Sequence, residues 1–191
     1  MSRRAKLSLI GTYKYLEALS FIVIILGVPA FFYQQWQTSE TRRTEETLKF
    51  ITMFQQERIV SAKADLLLPW IQYSDEIKVI NAGRGLDQVM LHRWVEKLIE
   101  ASVNHNPEKN LVHAIFIMTD FFDQLYLCVS MNVCQEEPAQ QYFREYTSQF
   151  DYLFGHKIEE WRVDLSISDF GRGIRYFATT RSDRHTKAEA Q

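Results

Sequence analysis

The stretch from Ala18 to Tyr33 constrains this chain more than any other feature of its sequence. It reads ALSFIVIILGVPAFFY, carries no charge, and has Tyr15 before it and Trp36 after it. Ten of its residues are Leu, Ile, Val or Phe, and together they contribute roughly −3 to −6 kcal/mol toward insertion into a bilayer. We therefore predict a transmembrane helix over residues 15–36.

The flanking residues distinguish an anchor from a signal peptide but leave the orientation open. A basic tail over residues 1–14 holds four Lys or Arg, and three follow the stretch at Arg42, Arg43 and Lys49. No small-residue cleavage site follows, so we predict an uncleaved single-pass anchor in the inner (cell) membrane. One more basic residue precedes the anchor than follows it, and by the positive-inside rule this difference places the following domain outside the cytoplasm. The paired arginines and the absence of a secreted signature favour the cytoplasmic side.

The rest of the chain predicts one helical domain. Seven glycines and four prolines in 191 residues are few, which suits long helices better than many short strands. The predicted class is all-α: the anchor continues into a helical stalk over residues 37–56, followed by an antiparallel bundle of about four helices over residues 57–163. Residues 164–191 are predicted to form a flexible tail. The net charge of −2 gives no reason to expect nucleic acid as a partner.

Apolar periodicity and turn residues predict individual helices of this domain. A helix over residues 57–68 is expected to stop there, because a proline at 69 disfavours a helical residue before it. Residues 86–103 show the 3.6-residue pattern of an amphipathic helix. Asn132 suits the left-handed conformation that ends a helix, and residues 138–162 place aromatic side chains at helical intervals.

Residues 111–131 match the anchor in apolar content and raise the alternative of a second membrane span. They also contain ten Leu, Ile, Val or Phe. Asp120 lies at their centre and Asp123 follows three residues later, and each costs about 2.5 to 3.5 kcal/mol in the middle of a bilayer. We therefore predict a buried central helix of the bundle.

His113, Asp120 and Gln124 are candidate polar residues of this helix, since their spacing places them on one stripe. The stripe is either a polar seam that binds a ligand or cation, or a structural feature, which we favour: the solvated edge of the helix or a set of internal hydrogen bonds that join helices. One histidine with one carboxylate lacks the repeated Glu-x-x-His motifs of di-metal bundles. No nucleophile motif such as GxSxG or SxxK occurs. We predict no catalytic residue, metal or cofactor.

Cys128 and Cys134 are the two cysteines of the chain. They lack the spacing of a zinc site. In the periplasm they would pair, and in the cytosol they would stay reduced, which the favoured orientation predicts.

The layout resembles a bacterial domain-of-unknown-function family of small single-pass membrane proteins. The resemblance covers roughly residues 15–162 and rests on the anchor, a Tyr33–Gln34 pair leaving it, and the arginines of the stalk. It also rests on a motif of the form Asn/Asp-Phe-Phe-Glu/Asp, here Asp120, Phe121, Phe122 and Asp123. The resemblance implies the architecture and a bacterial origin, and it implies no activity.

Two classes of function remain. The first is a membrane-anchored helical interaction or scaffold module without catalytic activity, whose partners are the lipid bilayer and either another protein or a second copy of the chain. The alternative is an oligomeric membrane effector or pore-forming protein of a bacterial stress or phage-defence system. An enzyme is the least favoured class.

Overall fold

The computed structural model describes residue 29 and residues 31–72, 88–105 and 110–179. The basic tail and most of the predicted transmembrane helix lie outside the described residues, as does the chain from residue 180 onward. The molecule divides into two compact units, Met1–Arg42 and Arg43–Gln191.

All regular structure in the described residues is helical, which confirms the all-α class. In chain order the helices are α1 at residues 31–53, α2 at Glu57–Gln72, α3 at Gln88–His105, α4 at Leu111–Ser130, α5 at Glu136–Asp164 and α6 at Arg172–Ala178. The predicted helices at 86–103 and 138–162 correspond to α3 and α5. The antiparallel arrangement of about four helices stays a prediction.

The first unit contributes the start of α1, which is rich in exposed aromatic side chains. Between 58% and 64% of the surface of these residues is exposed: Phe31, Phe32, Tyr33 and Trp36. They are the described end of the predicted transmembrane helix.

The second unit begins earlier than the sequence predicted. Thr47 is fully buried, and its hydroxyl accepts a hydrogen bond of 2.8 Å from the backbone N–H of Gln135. Phe54 is also buried, in the same core. The helix predicted over residues 37–56 is observed as far as residue 53, but a stalk that stands clear of the bundle is wrong from Arg43 onward, because contacts with distant residues bury Thr47 and Phe54.

Helix α4 lies at the centre of this core. Nine of its residues are buried: Leu111, Ala114, Ile115, Met118, Thr119, Phe121, Phe122, Leu125 and Val129. Its N-terminus is capped by Asn110, whose side chain accepts from the backbone N–H of His113 at 2.9 Å. The positions that gave the segment its membrane-like composition are therefore largely used in packing.

Helix α2 continues past Pro69 to Gln72, so the prediction that it ends at residue 68 is wrong. Trp70, in the last turn, packs partly buried against the core. A proline inside a helix costs about 3 kcal/mol, and burial of a large apolar side chain returns about 1.5 to 3 kcal/mol. Trp70 is only partly buried, so its packing offsets part of the cost of the extra turn.

The interpretation of residues 164–191 as a flexible tail is wrong for residues 165–179. Helix α6 forms there, with Ile174 and Phe177 buried in the core. The helix has only seven residues, about two turns, and polar residues surround it in the sequence, so its apolar pattern is too short to predict a helix. The contacts that α6 makes with α4 and α5 stabilise it instead.

Candidate functional site

The predicted polar seam is an exposed edge of α4. His113, Asp120 and Gln124 are all exposed, and the structure brings only two of them together, since the Gln124 amide donates to the Asp120 carboxylate at 2.8 Å. The hydrogen bond joins two residues of the same helix, one turn apart. In residues 31–72, 88–105 and 110–179, no group of three His, Cys, Asp or Glu side chains is placed to hold a metal ion.

The four-residue motif at 120–123 joins α4 to α6. Asp120 is exposed, whereas Phe121 and Phe122 are buried in the core. The Asp123 carboxylate accepts hydrogen bonds from the backbone N–H groups of Gly171 at 2.8 Å and Gly173 at 2.7 Å. Burial raises the pKa of Asp123, and these two N–H groups oppose the shift. Asp123 therefore holds α6 against α4.

Two glycines allow this close approach. Gly171 has φ of 74°, the left-handed region that glycine adopts without strain. A Cβ added to Gly173 would lie 2.0 Å from the carbonyl oxygen of Phe122. Because that oxygen belongs to the backbone of α4, no side chain can move aside, and position 173 admits only glycine.

A partly buried lysine lies against the aromatic core. Phe54 packs against several rings, with centroid distances of 5.0 Å to Phe143 and 5.1 Å to Tyr146. The Lys63 ammonium lies 3.2 Å from the Phe54 ring centroid and donates to the Phe54 carbonyl oxygen at 2.8 Å. Burial lowers the pKa of Lys63. The ammonium thus closes the turn between α1 and α2, with a cation–π contact as a further contribution.

An apolar groove of about 170 Å³ lies between α2 and α5. Its lining includes Lys63, Leu66, Leu67 and Trp70 from α2 and Tyr146, Phe150 and Phe154 from α5. The indole N–H of Trp70 is buried and has no hydrogen-bond acceptor within the described residues. A buried N–H without an acceptor is costly.

Next to this groove, α2 presents a second apolar face to solvent, which we call the α2 stripe. It consists of Val60, Leu67, Leu68 and Ile71, whose surfaces are 49% to 69% exposed. The spacing places these residues on one side of the helix, opposite the buried Ile59, Ala62 and Leu66. Four large apolar side chains therefore remain exposed on this side of α2.

A more polar cavity of about 500 Å³ lies where α3, α5 and the end of α6 meet. The rings of His92 and His156 stack there, 4.2 Å apart and 12° from parallel. Burial raises the pKa of Asp151, which lines the same cavity, and the charge of Arg175 opposes that shift. Nearly parallel, stacked rings direct their nitrogen lone pairs in parallel planes, so the pair cannot place two nitrogens about 2 Å from one metal ion.

The two cysteines are joined. A disulfide links Cys128 to Cys134, with Cα atoms 5.2 Å apart, and closes the turn between α4 and α5. Asn132 within this turn has φ of 58°, which confirms the predicted left-handed residue. The expectation of reduced cysteines, which followed from a cytoplasmic domain, does not match this structure.

No family model, curated protein or solved structure matches this chain. Among the described helices, α4 is the one that is long and apolar enough, by length and composition, to cross a membrane.

The groove, the α2 stripe, the partly buried Lys63 and the stacked histidines were not predicted from the sequence. A signal for the stripe was present, since α2 carries apolar residues on both faces, more than one buried face requires. The Asp123 contacts with Gly171 and Gly173 had a weaker signal in the pair of glycines around Arg172. Nothing local in the sequence pairs His92 with His156, which lie 64 residues apart.

Proposed function

We propose that this protein is a membrane-anchored helical module that binds a second copy of itself through the α2 stripe, without catalysis. The observation that carries the proposal is the exposure of Val60, Leu67, Leu68 and Ile71 on a helix whose opposite face is already buried.

Two observations support the membrane anchor. The uncharged run from Ala18 to Tyr33 has the composition of a transmembrane helix. Where that run ends, Phe31, Phe32, Tyr33 and Trp36 are exposed, which suits an aromatic belt at the membrane surface. The resemblance to a family of single-pass membrane proteins stays a prediction.

The disulfide favours a domain outside the cytoplasm. Bonds such as Cys128–Cys134 form and persist in oxidising compartments and are rare in the cytosol. The excess of one basic residue before the anchor points the same way. We therefore place the domain on the periplasmic or outer side of the cell membrane, in place of the cytoplasmic side that the sequence alone favoured.

Charge and tethering favour a second copy as the occupant of the stripe. Helix α2 carries two acidic and two basic side chains, Glu57, Asp65, Arg58 and Lys63, so two such helices meet without net repulsion. Association costs translational and rotational freedom, and two chains anchored in one bilayer have already lost part of it. A self-complementary contact also matches the two-fold symmetry that is commonest among homo-oligomers.

Photo-crosslinking tests this proposal on the full-length chain in native membranes. A benzophenone amino acid replaces Ile71 in the stripe or, as a matched control, Val163 on α5, whose exposed fractions are 69% and 66%. We expect a covalent dimer from position 71 at a yield at least tenfold above that from position 163, and Leu68→Glu should remove it. Equal yields, or an adduct only with another protein, would overturn self-association.

Liposome leakage by the purified full-length protein distinguishes the scaffold from the pore-forming alternative. A scaffold leaves a trapped dye inside the vesicles at every protein-to-lipid ratio. Release that rises with dimer or higher-oligomer content would favour the effector instead.

A further inference from the structure

We propose that the disulfide-closed turn between α4 and α5 is a second membrane contact, in which Leu127, Met131 and Val133 enter the interfacial layer of the bilayer. This proposal rests on the anchored state proposed above. It concerns a different surface from the α2 stripe and takes lipid, not protein, as its occupant.

The turn presents apolar side chains that nothing in the described residues covers. Leu127, Met131 and Val133 are 56%, 65% and 45% exposed, and they fall within seven consecutive residues. Met131 and Val133 lie in the turn itself, where polar residues are usual, and Leu127 lies just before it, in the last turn of α4. Their removal from water would be favourable in the acyl region of a membrane.

The turn is held in one conformation before any contact is made. The disulfide joins its two ends, and the backbone N–H groups of Val133 and Cys134 both donate to the Cys128 carbonyl oxygen at 3.0 Å. The N–H of Met131 donates to the Leu127 carbonyl oxygen, also at 3.0 Å. A pre-ordered loop loses little conformational entropy on binding.

The position of the turn relative to the start of the second unit indicates lipid as the occupant. Arg43 is the first residue of this unit, and its guanidinium donates to the Cys134 carbonyl oxygen at 3.4 Å. Thr47 contacts Gln135 at the same end. Six residues lie between Trp36 and Arg43, and even a fully extended chain over these seven Cα–Cα steps spans only about 25 Å. With the proposed anchor in the membrane, this tether limits the distance between the bilayer and Arg43.

The charges around the turn define the kind of surface it suits. Glu136 and Glu137 follow it directly, and Arg43 is the cation hydrogen-bonded to it. The local balance is thus slightly acidic, so anionic headgroups give no attraction. The contact is driven by apolar burial and fits a zwitterionic lipid surface.

Helix α5 supplies a control site on the same unit. It begins at Glu136, beside the turn, and ends at Asp164, and a straight helix of that length is about 43 Å long. Val163 at its far end is 66% exposed, against 65% for Met131. The two positions match in exposure and differ in distance from the turn.

Photo-crosslinking to lipid tests the proposal with the full-length chain in phosphatidylcholine vesicles. A benzophenone amino acid replaces Met131, Val163 or Trp36, one at a time, and mass spectrometry detects adducts of one phospholipid. All three side chains are exposed, so the substitutions leave the core intact. We expect lipid adducts at positions 131 and 36, with a yield at 131 at least tenfold above that at 163.

The outcomes separate the two proposals. Lipid adducts at position 36, together with a yield at position 131 no higher than that at the control position 163, would overturn the second membrane contact and leave the anchor in place. No lipid adduct at either position would overturn both. A protein adduct at position 131 in native membranes, in place of lipid, would assign the turn to a protein partner and overturn the lipid contact.

Discussion

The carboxylate of Asp123 accepts a hydrogen bond of 2.7 Å from the backbone N–H of Gly173, across 50 residues of sequence. This contact fixes the first turn of α6 against the middle of α4. The second bond, from Gly171, directs two N–H groups of one turn at a single carboxylate. The last described helix of the chain therefore depends on a residue of the central one.

The Gly173→Ala variant should be destabilised by about 3 kcal/mol, toward the upper end of the cost of overpacking. Its Cβ would lie 2.0 Å from the Phe122 carbonyl oxygen, and α4 cannot move without disturbing the core. Urea unfolding of the full chain in detergent measures the loss. The Gly155→Ala control meets only the movable Asp151 carboxyl group and should change stability by at most about 1 kcal/mol. Equal effects would show that the close approach is not limiting.

The Asp123→Asn variant should change the pH dependence of stability. Because burial raises the pKa of Asp123 above its ordinary value of 3.8, the folded state holds this proton at higher pH than the unfolded state. The wild-type free energy of unfolding should therefore fall, relative to the variant, as pH rises from 3.8 through the folded-state pKa. Unfolding curves of both proteins between pH 3 and 7 measure the difference. A difference that increases with pH would mean that the Gly171 and Gly173 hydrogen bonds outweigh burial.

The Lys63→Met variant should lose about 1 to 2 kcal/mol of stability. It retains most of the apolar stem but removes the donor to the Phe54 carbonyl oxygen and the charge over the Phe54 ring. Thermal unfolding measures the change. Lys49→Met is the matched control, since Lys49 makes an exposed ion pair with Glu46 and should cost less than about 0.5 kcal/mol. Equal losses would contradict a role for Lys63 in the core.

Replacing both cysteines with alanine should cost about 2 kcal/mol, the entropy expected for closing so short a loop. Reductant should lower the free energy of unfolding of the wild-type protein by a similar amount, and with it the thermal midpoint. It should leave the Cys128→Ala/Cys134→Ala variant unchanged. Alkylation of whole cells before lysis reports the state of the bond in its native compartment. Free thiols at both positions would contradict the proposed location of the domain.

The sequence predicted the features that depend on nearby residues. The helical class followed from few glycines and prolines, α3 and α5 from apolar periodicity, and the left-handed Asn132 from turn chemistry. Each of these depends on residues within about two helical turns, so the local pattern is sufficient evidence. The solvated-edge interpretation of His113, Asp120 and Gln124 also agrees with their exposure.

The errors arose where contacts across the chain override the local pattern. Residues 43–56 read as a solvated stalk, yet Thr47 and Phe54 are buried against distant helices. Pro69 indicated a helix end, but Trp70 packs on the core and extends α2. In both places, burial supplies free energy that local propensity does not contain.

By itself, the sequence determined an all-α chain with one uncharged apolar run near its start and a central helix interrupted by two aspartates. Only the tertiary structure decided what those aspartates do: Asp120 lies in solvent, and Asp123 holds α6 through Gly171 and Gly173. It also decided which apolar face of α2 stays exposed. These outcomes depend on which surfaces meet across tens of residues, and that choice is made by the packing of the whole core.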